Sequence, residues 1–128
     1  CIVANGLMVS ESLKAADLLR EEGIEATVLD MHTVKPLDEE TLLRAARECG
    51  AVVTAEEHLV HGALGSAVAQ CLARHLPVPV EFVGIEDTYA ESGPPQQVLD
   101  KYGLNHRAVA DAARRAAARR SGAGTARH

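Results

Sequence analysis

Short runs of apolar, β-branched-rich residues alternate along this chain with longer segments whose apolar side chains recur every three or four positions. The runs CIVA (1–4), ATVLDMH (26–32), AVVTA (51–55) and PVEFVGI (79–85) are bounded by Gly or Pro and predict strands. Between the first two, helical spacing of Leu13, Ala16 and Leu19 predicts a helix from Val9 to Glu22, stopped by Gly23. Before the third strand, Asp38 is a good N-cap, and Glu39 and Glu40 suit the positive end of a helix dipole. Leu42, Leu43, Ala46 and Cys49 form the apolar stripe of that helix, and Gly50 closes it. A third helix spans Leu64–His75, with Val68, Cys71 and Leu72 facing inward. Residues 86–104 read as a loop and a short helix, with Pro94 and Pro95 in its first turn and Gly103 as its stop. Asn105 caps a last helix over His106–Arg120, and SGAGTARH (121–128) reads as a disordered tail.

Four strands, each followed by a helix, imply a parallel sheet with right-handed crossovers and helices on both faces. The expected fold is a three-layer α/β/α domain over residues 1–120 built on a mainly parallel sheet of four strands, with residues 121–128 as its tail. No internal repeat or second domain is visible. The chain opens directly on strand residues, Cys-Ile-Val-Ala, so we expect the N-terminus to be a cut with further protein ahead of it.

Composition narrows the class. Only Phe82, Tyr89 and Tyr102 are aromatic, so the core must be made of Val, Leu, Ile and Ala, and recognition of nucleic acid by stacked bases is disfavoured. The net charge of −5 is uneven: residues 105–128 hold 6 Arg and one Asp on an otherwise acidic body. An RNA-binding arm is one reading; cations placed near the end of an Ala-rich helix, where they suit its dipole, are the expected one. Cys1, Cys49 and Cys71 form no CxxC pair, and the last two fall at apolar helix positions, as small core residues of a reduced cytoplasmic protein. No signal peptide or apolar run of spanning length is present, so neither membrane nor nucleic acid is an expected partner.

The densest polar stretch is TAEEHLVHGALGS (54–66). Glu56, Glu57, His58 and His61 could be metal ligands or an acid–base group, but there is no HExxH spacing, and adjacent strand residues point to opposite faces. Both glutamates can join one site only if the strand is broken there. The glycines of HGALGS could let a phosphate sit on the following helix N-terminus; close packing is the expected use, because neither Rossmann nor P-loop spacing is present. Ser92 lacks a nucleophile elbow and reads as a turn residue before Pro94, and Cys71 sits on a helix interior face. Composition and spacing therefore point to no catalytic, cofactor-binding or metal-binding residue.

Taken together, MHTVKPLDEETL, VVTAEEHLVHGALGSAVAQ, VEFVGIEDTYAESGPPQQVLDKYGL and the closing helix resemble the C-terminal domain of the transketolase family, in family order and spacing from Ile2 to Arg120. KPLD, EEH, HGALGS and ESG look most like the short C-terminal subunit of split bacterial transketolases. The resemblance implies a supporting part of an enzyme that uses thiamine diphosphate and Mg²⁺ to move a two-carbon ketol unit between sugar phosphates. The cofactor would be held by the pyrimidine-binding and diphosphate-binding domains or subunits, in a homodimer or heterotetramer, and this chain would be inactive alone. Family members usually begin with an extra antiparallel edge strand, and this chain starts after it. By resemblance, Glu57, His58, Gly62, Gly65 and Ser92 are interface residues, whereas His61 and Ala63 depart from the commoner GGLGS. The same domain in 1-deoxyxylulose-5-phosphate synthase or a 2-oxoacid dehydrogenase β component is the alternative, and a non-enzymatic interaction module the second.

Overall fold

The computed structural model describes residues 1–32, 36–58, 63–85 and 105–126; at 57, 58, 85 and 121–126 it describes the backbone. Four strands, β1 (Ile2–Ala4), β2 (Val28–Asp30), β3 (Val52–His58) and β4 (Val80–Ile85), alternate with helices α1 (Met8–Glu21), α2 (Glu39–Cys49) and α3 (Ala63–His75). A final helix, α4, runs over His106–Ala126. All strand pairs are parallel, and the sheet order is β2-β1-β3-β4. This is the expected three-layer α/β/α arrangement.

Strand alternation divides the core in two. Ile2 and Ala4 of β1, with Val53 and Ala55 of β3, face α1 and α4 through Met8, Ala15, Leu19, Val109, Ala112 and Ala116. Val3 and Val52 face the other way, against Leu42 and Ala46 of α2 and Leu64, Val68, Cys71 and Leu72 of α3. Because β1 and β3 are covered on both sides, their runs are almost wholly apolar, as a parallel sheet requires. Among the described residues, the buried hydrophobic ones are all aliphatic or sulfur-containing, whereas Phe82 is 47% exposed.

Helix α2 forms as its sequence predicts. Asp38 accepts a hydrogen bond from the Thr41 amide at 3.2 Å, and Gly50 closes the helix at φ 77° with its N–H on the Ala46 carbonyl. Helix α1 differs from expectation in its buried face. Leu13 is 54% exposed, and the inward stripe is Met8, Glu11, Ser12, Ala15, Ala16 and Leu19. Packing against α4 as well as the sheet turns the helix so that small and polar side chains fill the close approach. Helix α4 continues to Ala126, past the expected end at Arg120. Ser121–Ala126 contains no proline, so a helix already nucleated adds one bond per residue despite the glycine cost.

The Arg-rich face of α4 also works differently from a dipole complement. Arg115 and Arg119 both bind the Glu81 carboxylate of β4, at 3.0 and 2.7 Å, and hold it below the usual glutamate range. Arg119 takes the Val80 carbonyl at 3.0 Å, Arg120 the Cys49 carbonyl at 2.9 Å, and Arg114 pairs with Glu22. These contacts tie α4 to β4, α2 and α1. Such exposed pairs contribute little net stability individually; their effect is to set where the long helix lies.

Gly23 and Gly50 both sit at positive φ, but a Cβ at Gly23 meets nothing within 4 Å, while one at Gly50 falls 2.8 Å from Arg120 Cδ. Urea denaturation should therefore show G23A losing about 1 kcal/mol, the backbone cost alone, and G50A losing about twice that. Equal losses would mean that the Arg120 contact carries no weight.

Candidate functional site

In a sheet of order β2-β1-β3-β4, the chain leaves β1 toward one edge and later returns to its other side. The crevice this opens lies beyond the C-terminal ends of β1 and β3, where ligands of open α/β sheets bind. On the β1 side, Asn5 donates its amide to the Ala55 carbonyl at 3.3 Å, and Gly6 turns at φ 57° into α1. On the β3 side stand Glu56 and the start of α3.

Glu56 is the central polar group of this edge. It is 4% exposed, and its two carboxylate oxygens accept from consecutive backbone amides, Leu64 N at 3.2 Å and Gly65 N at 2.7 Å. The charge sits on the positive end of α3 and satisfies two of the amides that a helix start leaves unpaired. Gly65 makes the approach possible: a Cβ there would lie 3.0 Å from Phe82 Cδ1 and 3.2 Å from Glu56 Oε2. The ladder between β3 and β4 shifts register between Ala55 and His58, so three residue steps on β3 match two on β4. This irregularity frees Glu56 from the strict alternation of the strand.

A second buried carboxylate plays the same part nearby. Glu11 of α1, 2% exposed, accepts from the His106 amide at the start of α4 at 3.0 Å and pairs with Lys14 Nζ at 3.0 Å. The Asn105 side chain takes the Arg107 amide at 3.1 Å. With Asp38 on α2, three helix starts are filled by the chain's own acceptors, while the N-cap of α1, Leu7, supplies no side-chain cap. A phosphate brought to the start of α3 would meet the Glu56 carboxylate in the place it needs, so the residues there do not fit a diphosphate.

The expected site residues divide accordingly. Gly65 lies in the first turn of α3, in contact with Glu56 and Phe82. The backbones of Glu57 and His58 end β3, and their side chains lie outside the described residues, as do Gly62, His61 and Ser92 altogether. Glu56, grouped with them in sequence but assigned no interface role, has a defined partner set, the amides of Leu64 and Gly65. Its signal in sequence is faint: a strand-end glutamate eight residues ahead of a helix amide. Among the described residues, no three His, Cys, Asp or Glu side chains come together as a metal site.

At the opposite, N-terminal edge of the sheet lies a cavity of about 470 Å³, lined by Cys1, Thr27, Cys49, Ala51, Ala116 and Arg120 among others. Cys49 is only half-buried there, its thiol 3.9 Å from Thr27 Oγ1, because it is the last residue of α2 and not part of its apolar stripe. Cys71 is buried as expected. Burial, with Glu39 adding to it, pushes the Cys71 thiol up to about 11, which keeps it protonated and a poor nucleophile.

Comparison with known proteins agrees with the geometry. The family model for the transketolase C-terminal domain matches residues 1–109. Over 112 residues the chain is 49% identical to a 6-deoxy-6-sulfo-D-fructose transketolase subunit of Clostridium sp. (strain MSTE9), covering 88% of this chain and 35% of that protein. It is 44% identical over 114 residues to 1-deoxy-D-xylulose-5-phosphate synthase of Heliobacterium modesticaldum, covering 88% of this chain and 18% of that one. Among solved structures it resembles a split-gene transketolase in an inactive β4 tetramer, with a TM-score of 0.85 and 49% identity over 93% of this chain and 39% of the other. The chain thus spans only a fraction of the length of each.

The Cys71 proton is held more tightly in the folded state than in the unfolded one, whose thiol titrates near 9. Its contribution to stability is complete below pH 9 and is lost as pH rises toward 11, a loss on the order of 2 kcal/mol. Alkaline urea titrations should show a shallower decline for C71A than for the wild type. Parallel slopes would refute this assignment.

Proposed function

The chain belongs to the transketolase C-terminal domain family, and on that premise we propose that it is the assembly-supporting, C-terminal part of a thiamine-diphosphate-dependent transketolase-type enzyme. The complete enzyme transfers a two-carbon ketol unit between sugar phosphates in the cytoplasm. Thiamine diphosphate and Mg²⁺ are held by its pyrimidine-binding and diphosphate-binding domains or subunits, and this domain is not catalytic alone. The observation that carries the reading is Glu56: its carboxylate already fills the start of α3, so the phosphate-accepting feature of an α/β crevice is used internally. What remains for this edge is contact with protein.

In that assembly, a homodimer or heterotetramer, the loops at the C-terminal ends of the strands meet the neighbouring domains. Glu57, His58, Gly62, Gly65 and Ser92 belong to this contact. The cofactor supplies the carbanion chemistry when bound; this chain's part is to hold the surrounding subunits in place. The identity to a 1-deoxyxylulose-5-phosphate synthase supports a second reading, in which the same domain serves that enzyme. Both readings give this chain the same structural task.

Assayed alone with thiamine diphosphate, Mg²⁺ and ketose phosphate donors, the chain should give no turnover above buffer, and activity should appear when the pyrimidine-binding and diphosphate-binding partners are both supplied. Turnover by the chain alone would overturn the supporting role. In the complete enzyme, replacing Glu57 and His58 together by Ala should weaken assembly about tenfold in sedimentation, with the melting temperature of the isolated chain unchanged within a few degrees. Unaltered assembly would remove these two residues from the interface.

A further inference from the structure

The cavity at the N-terminal edge of the sheet is lined by two of the chain's three cysteines, Cys1 and Cys49. Cys1 stands at the start of β1, held from both sides: its carbonyl accepts from Val53 N at 2.8 Å, and the next amide, Ile2 N, donates to the Thr27 carbonyl at 2.7 Å. Cys49 ends α2, just ahead of β3, yet its thiol lies 3.9 Å from Thr27 Oγ1, just ahead of β2. In the order β2-β1-β3-β4, a side chain that reaches from the β3 side to the β2 side crosses the start of β1, where Cys1 stands. Cys1 also packs on the layer that α2 and α3 cover, so the two side chains share a face. We propose that Cys1 and Cys49 form a dithiol modification site, which closes to an intrachain disulfide when the chain meets hydrogen peroxide. The site lies at the opposite edge of the sheet from the assembly contact and does not depend on it.

Access separates these two thiols from the third. Cys1 and Cys49 are half-buried beside a cavity of about 470 Å³, roomy enough for peroxide, whereas Cys71 is 2% exposed within the core. Glu25 and Glu48 line the cavity with Arg120, which favours a small uncharged oxidant over an anionic disulfide. Among the described residues no three metal-binding side chains come together, so the thiol pair lacks the further ligands that zinc requires. One thiol attacks the peroxide O–O bond, releasing water and becoming a sulfenic acid. The other thiol then displaces that hydroxyl as a second water and forms the S–S bond. The two thiols lose two electrons and two protons, and one peroxide is reduced to two waters. The product staples the start of β1 to the end of α2 and closes a loop of about 50 residues. In a reducing compartment the pair stays open and closes only while oxidant is present.

Treating the full chain with hydrogen peroxide, then unfolding and alkylating it, should leave one free thiol of the three. Cleavage after glutamate places the three cysteines on separate fragments. It should yield one linked pair, the fragment ending at Glu11 joined to Cys49–Glu56, while His58–Glu81 carries an alkylated Cys71. Dithiothreitol should part the pair. The linked chain should melt about 10 °C above the reduced one, since the staple restricts the unfolded state. C71S should form the same link, and C49S should form none. Recovery of Cys1 and Cys49 as separate sulfinic acids, or joined only between two chains, overturns the site. A link that leaves the Tm unchanged or lowers it overturns the site as well, because the thiols then meet only when the fold is distorted.

Discussion

Burial on both faces of β1 and β3 is the constraint from which the other features follow. A parallel strand in the middle of a sheet has no solvent side, so Val3 and Val52 must find one helical layer while Ile2, Ala4, Val53 and Ala55 find another. Right-handed crossovers then place α1 on one face and α2 and α3 on the other, and α4 packs beside α1. With so few aromatic residues, the layers meet through Ala, Val and Leu, which brings the helices close. Close helices leave their first amides near the strand ends, where they are buried and need acceptors.

The chain answers that need with its own carboxylates, and this decides what the C-terminal edge of the sheet can do. Glu56 fills the start of α3 from a strand, and Glu11 reaches the start of α4 from another helix. In many α/β proteins the corresponding amides meet the phosphates of a bound nucleotide or cofactor. Here the start of α3 is already occupied by a carboxylate of the chain itself.

Much of the fold was legible because its signals are local. The strand runs, the Asp38 cap, the Gly50 stop and the start of α4 at Asn105 each depend on a few neighbouring residues. Leu13 was misplaced because helical spacing identifies an apolar stripe but not which neighbour that stripe must accommodate. Composition suggested that the Arg residues of α4 complement its dipole, yet they reach Glu22, Glu81 and the Cys49 carbonyl, partners 34 to 92 positions away. The ordered motif set was enough to identify the family, whose model matches residues 1–109.

The sequence by itself determined the alternation of strands and helices, the two-sided burial of the sheet, and the family, since all of these are written in periodicity and short-range chemistry. Only the tertiary structure decided what Glu56 does at the sheet edge. The reason is physical: whether Glu56 binds a metal, a proton or a helix depends on a register irregularity at the end of β3 and on an amide eight residues on. Neither has a period of its own, and both exist only once α3 is seated against β3 and β4.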